Sequence, residues 1–456
     1  MRIHLFETPG LGDNSYLIAS QGQAVLIDPQ RDAWRFLEAA RAEGLTIRYV
    51  LETHVHNDYL TGALEVREAT GAEIVAPERG GYRFPHRPAR EGLLIPLGEL
   101  ALVAWETPGH TPEHLCWLLY RQGEPWPLAV FTGGSLTVGG AGRTDLLGPE
   151  LTRDLAILQF RSLRRLASLP DSVQVLPTHG AGSFCTAGPS RERTSTLGRE
   201  RSANRALAAP DAEEFLTSQL SGLPAFPAYY AYMASINRHG PRLLGGLPLP
   251  PAIAPAEAEA ALRRGAWLVD GRDRRSFARA HLPGAINVEL DSTFASYVGW
   301  VVPFGEPLLL VLPGPEEEAL SEAATQLMRI GYEEVWGYLR GGVEAWAESG
   351  RPLRSYPVAS VEELCRAVSA GESPQVLDVR QRPEWERGHI PGSQHIFVGE
   401  LPRRLAEVPL GREVWTICAS GHRAALAASI LDAAGYPVRL VGDGGVQDWL
   451  AACRGG

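Results

Sequence analysis

The chain has 456 residues, room for about three domains of ordinary size, and its hydrophobic content of 45% is that of a globular protein. The net charge of −10, with all 43 basic residues arginine, excludes the electrostatic footprint of a protein that binds nucleic acid or an acidic membrane surface. No apolar run is long enough for a membrane span, the N-terminus reads as lacking a signal-peptide core, and five cysteines without a CxxC pair point to reduced thiols in the cytoplasm.

Residues 1–240 read as one α/β unit. Apolar strands are predicted at residues 24–27, 49–51, 73–76, 102–105, 115–119, 129–131 and 173–176, with helices over 151–166 and 211–220. After the second strand comes Thr53-His54-Val55-His56-Asn57-Asp58-Tyr59. Side chains two apart in an extended segment share a direction, so His54 and His56 are expected to reach one metal ion. Further along stand Gly109-His110-Thr111, Phe131-Thr132-Gly133-Gly134, Gly142-Arg143-Thr144-Asp145 and Pro177-Thr178-His179-Gly180.

Residues 241–251 are rich in glycine and proline and read as a linker. Beyond it lies an internal repeat, 252–353 and 357–456. Leu268-Val269-Asp270-Gly271-Arg272 and Ala280-His281-Leu282-Pro283-Gly284 return as Leu377-Asp378-Val379-Arg380 and Gly388-His389-Ile390-Pro391-Gly392, offset by 108 residues each time. Both repeats close on Gly-Gly-Val and a tryptophan, at Trp346 and Trp449. In the second repeat the strand Val414–Ile417 runs into Cys418-Ala419-Ser420-Gly421-His422-Arg423 and then a helix. Strand, short loop and helix make an anion cradle from successive amides and the helix N-terminus. That field favours the thiolate, the nucleophilic form of Cys418, and Arg423 is expected to add fixed positive charge. In the first repeat the cysteine slot is expected at Pro313, which offers neither nucleophile nor N–H.

The order of motifs over the first 210 residues resembles the metallo-β-lactamase superfamily, and within it the persulfide dioxygenase branch; the repeats resemble rhodaneses. The resemblance implies an αββα sandwich followed by two rhodanese-like α/β domains. It implies a persulfide carried on Cys418, with Ala419, Ser420, Gly421, His422 and Arg423 forming the substrate loop. The family's mononuclear iron site would use His54, His110 and an aspartate at 134, which is glycine here; two-metal hydrolases would also need a histidine at 59, which is tyrosine here. Three arrangements follow. One zinc or iron ion per chain is held by His54, His56 and His110, with Asp58 and His179 supporting it or serving a second metal; or Asp58 supplies the carboxylate of an iron site; or the site does no chemistry. The implied function is a sulfur-handling fusion enzyme acting on small persulfides, thiosulfate or sulfite, with no nucleic-acid or membrane partner and with a homodimer left open. Its rivals are a zinc-dependent thioester hydrolase and a catalytically silent front half serving as a binding module. Arg143 and Arg423 are expected to attract the anionic substrates.

Overall fold

The structure, a computed structural model, describes residues 1–186 and 191–453. Residues 187–190 of the expected 1–240 domain and 454–456 of the expected last domain lie outside the described residues. Contacts divide the chain into two compact units. The first is Met1–Leu223 with Tyr230–Leu247 and Met328–Gly331; the second is Pro224–Tyr229 with Pro248–Leu327 and Tyr332–Gly456. Both repeats lie in the second unit.

The first unit is built on two six-stranded sheets. One has Arg2–Thr8, Asp13–Ser20, Gln23–Ile27, Thr46–Leu51, Glu73–Pro77 and Arg87–Ala89 in chain order. The other runs Ser195–Thr196, Gln174–Pro177, Ala129–Gly133, Leu115–Arg121, Leu100–Glu106, Leu94–Leu97. Successive side chains point to opposite faces of a strand. Tyr16, Ile18, Val25 and Ile27 share a core with Leu102, Trp117, Leu119 and Phe131 between the sheets. Their neighbours Leu17, Ala24 and Leu26 share another with Phe36 and Val66 of helices Trp34–Ala42 and Ala63–Thr70. Cys116 and Leu118 join Ala156 and Leu163 of helix Pro149–Leu166. This is the expected αββα sandwich. Burial on both faces explains why its strands read as nearly unbroken apolar runs. In the first sheet Ile27 pairs in parallel with Leu51, and in the second Gly133 with Pro177. The loops leaving these strand ends carry the metal-site motifs.

In the second unit each repeat is a five-stranded parallel sheet with the same strand order. The first runs Ala252–Ile253, Val335–Leu339, Leu308–Val311, Trp267–Asp270, Ile286–Asn287. The second runs Val358–Ser360, Val438–Asp443, Val414–Ile417, Gln375–Asp378, Gln394–His395. The register corrects one expectation. Asp270 pairs with Val311 and Asp378 with Ile417, so the counterpart of Cys418 is Leu312, not Pro313. The two loops have equal length: Pro313-Gly314-Pro315 precedes helix Glu316–Arg329, and Ala419-Ser420-Gly421 precedes helix His422–Ala433.

That last helix has no polar face, and a helix apolar all round must be buried all round. Residues 424–432 are all buried. The first repeat covers part of it: the Asn287 amide donates to Ser429 Oγ (2.8 Å), while His281 Nε2 and Arg354 bind Asp432 (3.1 and 2.8 Å). The expectation of five reduced cysteines is also corrected. Helices Val361–Ser369 and Val446–Cys453 bring Cys365 and Cys453 to 6.0 Å between Cα atoms, and the two form a disulfide. At a separation of 88 residues no spacing motif announces this pair. Among the described residues no helix is long and apolar enough to cross a membrane.

Candidate metal centre and cysteine loop

Beyond Leu51 the chain leaves the sheet and turns, so the two-residue alternation of a strand no longer holds. Asp28 sets the turn. Its carboxylate accepts from the Thr53 amide and Thr53 Oγ1, both at 2.7 Å, and from Thr178 Oγ1. Having donated to Asp28, Thr53 Oγ1 accepts from His54 Nδ1 (2.8 Å). His110 Nδ1 donates to the Arg143 carbonyl (2.8 Å), and His179 Nδ1 to Asp13 (2.9 Å), with Asp58 at 3.3 Å. Each ring is thus oriented through Nδ1, which turns its Nε2 towards the others. His54 Nε2 and His179 Nε2 lie 3.1 Å apart, His110 Nε2 is buried without a hydrogen-bond partner, and ligand nitrogens of all three lie within 4.8 Å of one another.

Burial, with the neighbouring His56 and His110, holds His54 well below the usual histidine range. Burial and His179 push His110 down to about 3. Both rings are neutral near pH 7 and have lone pairs to offer. At His179 burial is outweighed by Asp58 and Asp13, which hold it up at about 9. The pocket therefore favours a cation between His54 and His179, and a metal ion there competes with a proton.

His56 takes a different part. Its Nε2 lies 3.3 Å from Glu52, 3.4 Å from Asp28 and 3.0 Å from Tyr59 Oη. Burial opposes its charge, but Asp28 and Glu52 prevail and hold it up at about 10. The expected trio of His54, His56 and His110 is not among the groups of converging ligand atoms: His54 and His110 converge with His179, while His56 joins His54 in a second group with Asp28. Asp58 lies against His179 rather than at the converging nitrogens, although one group of possible ligand atoms joins it to His56 and His179.

Position 134 explains itself geometrically. A Cβ on Gly134 would lie 2.1 Å from His110 Cδ2, and one on Gly142 would lie 2.8 Å from His110 Nδ1. The His110 ring fills a slot between two glycines, so an aspartate at 134 has no room. The residues fit a metal ion held by the three imidazoles of His54, His110 and His179; two other groups of possible ligand atoms, Asp28 with His54 and His56 and Asp58 with His56 and His179, offer two histidines and a carboxylate without using position 134. His114 braces this slot: it is buried, stacks on His54 with ring centres 5.0 Å apart, and accepts from the Gly134 amide (3.0 Å).

In the second unit Cys418 directly follows strand Val414–Ile417, is 1% exposed, and accepts from the Gly421 amide at 3.1 Å. Gly421 has φ of +90°, which glycine adopts without strain. The closing Gly-Gly motif forms the floor: the Val446 amide donates to the Cys418 carbonyl (2.9 Å), and a Cβ on Gly445 would lie 2.1 Å from the Ala419 carbonyl oxygen. Ala419 and Ser420 are exposed at the rim, and His422 opens the helix. The two arginines expected to attract anions are already engaged. Arg423 forks onto Glu384 (2.5 and 2.8 Å) and Arg143 onto Asp145 (2.7 and 2.6 Å).

Comparison with known proteins agrees with both halves. The family model described as metallo-beta-lactamase superfamily matches residues 8–179, and the one described as rhodanese-like domain matches 254–349 and 360–452. A hydroxyacylglutathione hydrolase of Methylobacillus flagellatus is 31% identical over 224 residues, 49% of this chain and 80% of that protein. Another, from a Polaromonas species, is 36% identical over 170 residues, 36% of this chain but only 61% of its own length. The solved structure of a metallo-beta-lactamase from Staphylococcus aureus is 30% identical and aligns with a TM-score of 0.67 over 74% of this chain and 98% of its own. The chain belongs to the metallo-beta-lactamase superfamily and carries two rhodanese-like domains.

Within the rhodanese-like domains the shared motifs are framework. Arg380 forks onto Asp378 (2.9 and 2.6 Å) and reaches the Gly388 carbonyl (2.8 Å). Arg272 does the same with Asp270 (3.0 and 2.6 Å) and the Ala280 carbonyl (2.9 Å). His281 stacks on Phe277 and His389 on Trp385. In the metallo-beta-lactamase domain, sequence reasoning misses Asp28, Asp13 and Glu52. A signal exists for Asp28, a carboxylate ending an apolar strand before a proline; Asp13, 166 residues from His179, has none.

Proposed function

We propose that the chain is a sulfur-handling fusion enzyme in which the last rhodanese-like domain transfers sulfane sulfur through Cys418, and the metallo-beta-lactamase domain acts on low-molecular-weight persulfides. The observation that carries this reading is the Gly421 amide on the Cys418 sulfur, in a three-residue loop at the start of a helix. The Cys418 thiolate attacks the outer sulfur of thiosulfate. The S–S bond breaks, sulfite leaves with the bonding electrons, and a Cys418 persulfide remains. An acceptor thiolate or cyanide then attacks the terminal sulfur, and Cys418 departs as thiolate. Loop amides and the helix N-terminus stabilise the negative charge at each stage.

In the front domain a zinc or iron ion on His54, His110 and His179 would supply Lewis acidity with a coordination position to spare. Asp13, Thr53 and the Arg143 carbonyl orient the three rings, and Asp58 balances charge at His179. One chain joining the two activities raises the effective concentration of an unstable persulfide. Thioester hydrolysis, the activity named for the relatives, is disfavoured by Tyr59 and by the filled slot at Gly134.

Cys418→Ser is expected to abolish thiosulfate:cyanide sulfurtransferase activity while bound metal stays unchanged. Full activity in that variant would sink the role given to Cys418. Turnover of S-lactoylglutathione at the rate of a dedicated hydrolase would revive the rival.

A further inference from the structure

We infer that Arg274, in the repeat that has no nucleophile, is a positioning residue for the Cys418 loop. This rests on Cys418 being the sulfur-carrying nucleophile. The guanidinium is fixed at both ends. Nη1 donates to the Ser420 carbonyl oxygen at 2.5 Å, while Nε and Nη2 fork onto Glu289 at 2.9 and 2.7 Å. Glu289 is itself held by the Arg274 amide (2.7 Å).

The Ser420 carbonyl and the Gly421 N–H belong to one peptide group. That group is planar and trans, so its C=O and N–H point in opposite directions. Drawing the Ser420 oxygen towards Arg274 therefore turns the Gly421 N–H the other way, onto Cys418 Sγ at 3.1 Å. Arg274 does not touch the sulfur; it sets the plane of the amide that does. The close approach also requires glycine, since a Cβ on Gly421 would lie 2.3 Å from Arg274 Nη1. Asp291 and Tyr297 of the same repeat flank the next residue, His422, at 3.9 Å and with ring centres 4.9 Å apart.

The internal repeat supplies a control. The counterpart of Arg274, 108 residues on, is Arg382, whose side chain is 81% exposed and pairs with Glu386 one helical turn away. The same residue type in the same motif position thus has no loop to hold. Lysine cannot replace Arg274, because a single ammonium lacks the planar fork that spans Ser420 and Glu289 together.

The test compares wild type with Arg274→Gln, Arg274→Lys, Glu289→Gln and Arg382→Gln. Two readouts are taken: kcat and KM for thiosulfate, and the rate at which iodoacetate and iodoacetamide alkylate Cys418, followed by mass at that peptide. Arg274→Gln is expected to lower kcat and the iodoacetate rate about tenfold, the scale of one lost charge-assisted hydrogen bond, with thiosulfate KM little changed. Arg274→Lys should fall nearly as far, and Arg382→Gln should match wild type. Glu289→Gln, which loosens the fork but keeps the charge, should lie between them, and it decides the matter if Arg274→Gln does not fold. Wild-type alkylation in Arg274→Gln overturns the inference. So does full rescue by lysine, which would reduce the effect to charge alone. If wild type itself transfers no sulfur, the functional reading fails, and the alkylation rates still decide the part played by Arg274.

Discussion

Two positions in this chain lack the reactive residue that their families carry there, and the surroundings have answered differently. At Gly134 the space for a carboxylate is filled by the His110 ring, and the nitrogens of His54, His110 and His179 still converge. At Leu312 the slot for a nucleophile is filled by a buried aliphatic side chain, and Pro313 and Pro315 remove two of the three loop amides. A metal site tolerates exchange among donors as long as enough of them aim at one point. An anion cradle does not, because its donors belong to the backbone and a proline deletes one outright.

The comparison can be broken most severely at His179. If the converging nitrogens form the proposed centre, His179→Ala loses essentially all bound zinc or iron in elemental analysis of protein purified without chelator. Retained metal in that variant would return the site to His56. A smaller effect is expected at the filled slot. Gly134→Asp must displace the His110 ring, so it should lower both metal content and stability, the latter by about 1–3 kcal/mol as for other overpacked cores. Higher metal content in Gly134→Asp would mean that the slot is open to a carboxylate after all. The smallest effect is expected at the other position: Leu312→Cys should confer no sulfurtransferase activity on Cys418→Ser, because the restored thiol has two prolines where its amides should be. Measurable transfer in that double variant would show that the nucleophile alone is sufficient.

Much of this architecture is legible in the residues. The apolar runs of the sandwich mark strands buried on both faces, and the 108-residue offset marks the repeat. The cysteine loop is legible because its chemistry is local: sulfur, amides and helix start lie within six residues. The metal centre is only half legible. His54, His110 and His179 are visible in their motifs, yet which of them converge depends on Asp28, which pins Thr53 and ends the strand geometry from which His56 was expected to point at the ion. The slip from Leu312 to Pro313 has a similar cause. An apolar strand runs into an apolar residue, so its end is invisible without the pairing of Asp270 with Val311. The Cys365–Cys453 bond and the braces from Arg274 to Ser420 join residues far apart in the chain and leave no mark in any local pattern.

The helix that follows Cys418 has consequences for how the protein is made. Because it is buried along residues 424–432, partly by the first repeat, the second repeat by itself would leave part of that helix bare to water. Chains emerge from the ribosome N-terminus first, and domains fold as they appear. The repeat without a nucleophile is therefore synthesised first, so Asn287 and His281 are made before the Ser429 and Asp432 that they bind.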